Sequence, residues 1–147
     1  MPVRNFSDAE LLERASLRVA MFMRGMWEEK GSSDTRLLLD PWMPDRLTIM
    51  GRSRACTGKS YREHVVPRAW IANEVHRMFQ AGCTDQAVAL YIRDHVKIVE
   101  ITKEEADRLD RTTNFHLKTK MPDDWQAGGD VYARLAAAGI EWDPKAA

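Results

Sequence analysis

Cysteine is scarce in this chain, with only Cys56 and Cys83 in 147 residues. Two thiols so placed make neither a disulfide framework nor the paired spacing of a zinc site, so reduced cysteines are expected. No apolar run approaches the roughly 20 residues that a membrane helix needs. The opening Met-Pro-Val-Arg-Asn-Phe-Ser-Asp-Ala-Glu lacks the apolar core of a signal peptide. A cytoplasmic protein without membrane contact is therefore the expectation. Net charge is also missing, because 22 Lys and Arg balance 22 Asp and Glu. That balance argues against an overall basic coat for nucleic acid. No internal repeat and no low-complexity stretch marks a second domain. What remains is a globular composition, 44% hydrophobic and 30% charged, long enough for one domain with its own core. We expect a single domain over residues 1–147.

The pattern predicts a helix-rich α+β fold with a small β-hairpin and one additional short strand. Ser7 and Glu10 have capping-box spacing, so a helix should run from there to about Lys30. Leu11, Leu12, Ala15, Val19, Phe22, Met23 and Met26 recur at helical spacing and should form its apolar face. Met21, Met23 and Met26 suit core filling or an adaptable contact surface. Two prolines, Pro41 and Pro44, exclude a long element before Leu47. Leu47 to Met50 and Tyr61 to Val66 read as two strands of a hairpin, with a basic loop from Gly51 to Gly58 as its tip. Pro67 fits the first turn of a helix reaching about Gln80. A further helix should open at Thr84-Asp85-Gln86, and Val96 to Ile101 is a strand candidate. Thr102-Lys103-Glu104-Glu105 repeats the capping-box spacing and should start a helix ending near Thr112. A last helix is expected from about Asp130 to Ala138, ended by Gly139.

Charge is unevenly spread despite the zero total. From Asp45 to Arg68 six basic residues face two acidic ones, a net of plus four. From Met121 to the end the net is minus three. A local basic patch of Arg52, Arg54, Lys59, Arg62 and Arg68 can meet a polyanion on one face, or can be a solvated loop. Gly58-Lys59-Ser60 has the ending of a phosphate-binding loop. The first glycine of that motif should stand where Ser53 stands, and no helix follows, so a nucleotide site is not expected.

The sharpest chemical signal is Tyr61-Arg62-Glu63-His64-Val65-Val66-Pro67. A carboxylate and an imidazole are adjacent at the end of a strand, among basic residues. Histidine has a pKa suited to a general base, and a carboxylate suits a hard cation. On this motif the segment resembles the first half of HNH, or ββα-metal, nucleases. The strand and helix from Val96 to Asp110 stand where such a family has its second half. The resemblance implies that His64 takes a proton from water and that Glu63 binds a divalent ion such as magnesium. It implies DNA or RNA as partner, held by Arg52, Arg54, Lys59, Arg62 and Arg68. Similar proteins carry histidine or asparagine on the closing helix. Here Ala106 stands in that place, and His116 and Asn114 beyond the helix are the substitutes, His116 as the further metal ligand. An active member would be a metal-dependent endonuclease, and an inactive relative would need no cofactor. His76 is expected at the surface, and His95 at a helix end where its charge suits the dipole.

A second reading belongs to another class. Zero net charge and methionine- and tryptophan-bearing faces also suit a small protein that binds another protein. A phage or mobile-element protein that inhibits a nucleic-acid-handling complex is its concrete form. Convergence of Glu63, His64 and a third ligand would favour the enzyme, and dispersal would favour the binding protein.

Overall fold

The computed structural model describes residues 4–111 and 120–146. It is a helix-rich α+β structure with six α-helices and a four-stranded sheet among those residues. Its contacts divide the chain, expected as one domain, into two compact units, each built from two separate stretches.

The helical unit comprises Met1–Leu47 and Ala72–Asp94. Its first helix, α1, spans Asp8–Lys30, the bounds that the capping box and Gly31 indicate. Ser7 Oγ accepts from the Glu10 amide at 3.1 Å, and the Ser7 amide donates to Glu10 Oε1 at 3.0 Å. These bonds satisfy two amides that a helix start otherwise leaves orphaned. Gly31, at φ 72°, closes the far end in the left-handed region. Ala15, Val19, Ala20 and Met23 form the buried stripe. Phe22 is a correction to the expected core face, since it is 54% exposed. It stands about 100° around the helix from Met23, outside the stripe. A short helix, α2, covers Asp45–Thr48 and ends at the border of the unit.

Helix α3 spans Arg68–Gln80 and α4 spans Asp85–His95. Within the helical unit, Val75 and Phe79 of α3 and Val88 and Ile92 of α4 are buried. Trp27 meets the Phe79 ring at 5.6 Å, and the Arg24 guanidinium lies over the same ring while pairing with Asp85. Thr84 Oγ1 caps α4 through the Ala87 amide.

The sheet unit comprises Thr48–Ile71 and His95–Ala147. Its strands are β1 Ile49–Ser53, β2 Tyr61–His64, β3 Ile98–Ile101 and β4 Trp142–Pro144. Their order is β2-β3-β1-β4. The expected hairpin is thereby corrected, because β3 lies between β1 and β2. β3 pairs in parallel with β1 and antiparallel with β2. Ile98, Val99 and Ile101 are all buried, so the most apolar strand takes a central place. The parallel pairing is possible because residues 54–97 make a long crossover. Part of the expected loop is strand as well, since β1 extends to Ser53.

β4, which no expectation covered, pairs antiparallel with β1. It approaches so closely that a Cβ on Gly51 would stand 2.2 Å from the Asp143 carbonyl oxygen. Only glycine fits there. Pro144 sits at the sheet edge, where a missing amide costs no ladder bond. Helix α5 spans Lys103–Arg111 and α6 spans Ala133–Ala137. Thr102 and Glu105 make the second capping box, with bonds of 2.9 and 3.0 Å.

Candidate functional site

Side chains alternate between the faces of a strand. Along β2, Tyr61 and Glu63 therefore take one face and Arg62 and His64 the other. Adjacency in sequence separates the candidate metal ligand from the candidate base.

Glu63 is 8% exposed and faces a fully buried Arg134 from α6. Arg134 Nη2 donates to Glu63 Oε1 at 2.9 Å. Its Nη1 donates to the carbonyl oxygens of His64 at 2.7 Å and Val65 at 3.4 Å. One guanidinium thus ties α6 to the side chain and the backbone of β2. Burial raises the Glu63 pKa, the Arg134 charge pulls it down, and Asp110 of α5 adds to the rise. The carboxylate serves as counter-charge to a buried cation. A divalent ion at Glu63 would have to sit beside that cation and compete with it for the carboxylate. The residues present do not fit a metal there. His116, the expected further ligand, and Asn114 lie outside the described residues. Among the described residues no three His, Cys, Asp or Glu side chains come together as a metal-holding group.

His64 is half-buried, and its buried Nδ1 has no hydrogen-bond partner among the described residues. Burial, helped by the charges of Arg68 and Arg134, holds its pKa down to about 4. The imidazole is neutral at neutral pH. Its charge state suits a base, but it stands on the sheet face away from Glu63.

The basic residues are gathered and largely compensated. Arg52 lies opposite Glu100 on one side and Asp143 on the other. Arg62 lies opposite Glu100 from β2. Read across the sheet, Arg62, Glu100, Arg52 and Asp143 form one row of alternating sign on one face. Arg52 Nε is 3.8 Å from Glu100. Its Nη1 donates to the Cys56 and Gly58 carbonyl oxygens at 3.3 and 3.2 Å, closing the turn before β2. Arg54 pairs with Glu141 and Asp143, both at 3.2 Å. The acidic C-terminal segment therefore folds back onto the basic segment. Lys59 is exposed in the turn, and Arg68 is half-buried at the start of α3.

Two polar partnerships of this unit escaped the sequence reading. Ser53 Oγ donates to the buried Glu105 at 2.6 Å, and Ser60 Oγ donates to Glu100 at 2.7 Å. Arg134 escaped it too. Its signal was a lone charge within Ala133-Arg134-Leu135-Ala136-Ala137, where an apolar turn would otherwise be uninterrupted. Such a charge needs a buried partner. Gly58-Lys59-Ser60 leads into β2 and not into a helix.

The helical unit carries a different kind of surface. Met21, Phe22, Trp42 and Leu90 are each about half exposed, at 55, 54, 48 and 50%. Phe22 and Trp42 touch, with ring centroids 6.0 Å apart. A groove of about 270 Å³ between α1 and α4 is lined by Leu17, Ala89 and Leu90. Glu13 and Arg93, 3.5 Å apart, stand over it. His76, expected at the surface, is half-buried and bonds Ser33 Oγ at 2.6 Å. No described helix is long and apolar enough to cross a membrane. No protein-family model, no curated protein and no solved structure matches this chain.

Proposed function

We propose that this chain works by binding another protein through the exposed apolar face of its helical unit, and not by hydrolysis. The observation that carries the proposal is the contact between half-exposed Phe22 and Trp42 on one unit, with half-exposed Met21 next to Phe22 in the chain. Exposed aromatics in contact, with methionine close by in the chain, are typical of interface anchors. The dispersal of Glu63 and His64 to opposite sheet faces supports the same choice. Inhibition of a nucleic-acid-handling complex is one role such a face serves. A photo-crosslinking amino acid at Phe22 or Trp42, in the living host, should trap a discrete protein. The same probe at Lys145 on the sheet unit should not. Equal trapping at both sites, or none at Phe22 and Trp42, overturns the reading.

A second reading keeps nucleic acid as the partner. Chain order favours it: β2 and β3 pair antiparallel and α5 follows, the strand–strand–helix order of ββα-metal nucleases with α3 and α4 inserted. On that reading the protein is an inactive relative that meets phosphates through Arg52, Arg54, Lys59, Arg62 and Arg68. Replacing Arg52, Arg54 and Arg62 by alanine should then flatten the salt dependence of binding by up to about three units of log-log slope. Unchanged affinity and slope would remove this reading. Magnesium-dependent cutting that is lost in His64→Ala, with melting intact, would restore the enzyme.

A further inference from the structure

The outward face of α1 has an order that its own unit does not use. Arg14, Arg18, Met21, Gly25 and Glu28 follow one another at steps of four, three, four and three residues. That is the spacing of a helix–helix seam. All but Gly25 are exposed, and Gly25 is half-exposed. Among the described residues the side chains of Arg18 and Glu28 make no hydrogen bond or ion pair. Arg14 meets only the Phe6 ring and the charge of nearby Glu10.

Gly25 needs an explanation of its own. Glycine inside a helix is less stable than alanine by about 0.5–1 kcal/mol. Among the described residues nothing requires it, because an added Cβ would meet only the tip of Glu29, at 3.9 Å. A small residue without an internal reason, on an outward seam, suits close approach of a second backbone.

The charge order says which backbone. Positive Arg14 and Arg18 lie on one side of Met21, and negative Glu28 lies on the other. An antiparallel copy of the same helix, with its two-fold axis at Met21, brings Arg14 opposite Glu28 twice. It sets Arg18 beside Gly25 and lets Met21 meet itself, with Phe22 alongside. A two-fold contact must be self-complementary in this way. Resting on the reading of this unit as a protein-binding face, we propose that the occupant of the α1 seam is a second copy of this chain, packed antiparallel.

Sedimentation of the full chain from low to high micromolar concentration tests this. The wild type should pass from monomer to dimer. Arg14→Glu and Glu28→Arg should each weaken dimerisation at least about tenfold, because each places like charges opposite one another twice. Both residues are exposed, so circular dichroism should stay as in the wild type. Melting should stay unchanged in Glu28→Arg and fall only slightly in Arg14→Glu, which gives up the Phe6 and Glu10 contacts. The two variants mixed should dimerise again, since each then meets its opposite. Gly25→Leu should also abolish the dimer without loss of helix. A wild type that stays monomeric, or a mixture that pairs no better than either variant alone, overturns the proposal. A monomer that still crosslinks a foreign protein through Phe22 would overturn the second copy alone and leave the protein-binding reading intact.

Discussion

The two units solve the placement of charge in opposite ways. The sheet unit takes charge inside: Arg134, Glu63 and Glu105 are buried, and each has a partner. Among its described residues, Tyr61 is the one large apolar side chain that is about half exposed, at 47%. Among its described residues the helical unit buries no Asp, Glu, Lys or Arg, and it leaves Met21, Phe22, Trp42 and Leu90 facing water. A buried ion pair adds little net stability but severe loss when one partner is removed. It acts as a lock on geometry. Exposed apolar area does nothing for the isolated unit and gains value only when covered. The sheet unit thus has the character of a locked scaffold, and the proposed protein binding falls to the helical unit.

The largest test of this contrast is Arg134→Ala. It strands Glu63 and frees two carbonyl oxygens, and should cost about 3–5 kcal/mol. Thermal melting should fall by roughly 10 °C or more. If Arg134→Met with Glu63→Leu regains most of that loss, the pair is a lock and not a source of stability.

His64 gives the next largest effect. Its folded pKa, about 4, lies below the usual value of 6.5. The unfolded chain thus binds the extra proton first as pH falls. The stability due to the neutral imidazole is full above about pH 6.5 and is lost as pH falls towards 4, by about 3 kcal/mol. Glu63 acts in the other sense, because its raised pKa makes the folded state hold its proton above pH 4.5. Urea titrations from pH 4 to 7 should show stability rising with pH. His64→Leu should flatten the rise, and Glu63→Gln should steepen it.

Ser53→Ala should cost about 1 kcal/mol in the same titrations. Glu105 loses one buried donor and keeps the Thr102 amide. Arg54→Ala should be the smallest, under about 1 kcal/mol and weaker in high salt, because its pairs with Glu141 and Asp143 are exposed. A loss from Arg54→Ala matching that from Arg134→Ala would break the distinction between locked interior and solvated surface.

Helix ends were legible because their chemistry is local. Ser7 and Glu10, or Thr102 and Glu105, meet within one turn whatever else the chain does. The bounds of α1, α3 and α4 follow from such signals and from apolar spacing. Strand partners were not legible. Residues 47–66 look like a hairpin because two strand-like runs flank a turn-like loop, yet β3, which begins only at Ile98, enters between them. The candidate site shared that fate. Glu63 and His64 read as one pair, because a dipeptide does not display the alternation that parts its side chains until its strand is built.

The sequence by itself determined α1, α3, α4 and α5, the zero net charge and the position of the β-branched runs. The charge is a plain sum over the chain, and the rest depends on residues within a few turns of one another. Tertiary structure alone decided that the acidic C-terminal segment covers the basic one through β4. It alone decided that Glu63 spends its charge on Arg134, 71 residues away. Desolvation makes such a partnership, since an ion leaves water only where an opposite charge already waits. That condition is set by the packing of whole elements, which no short stretch of sequence contains.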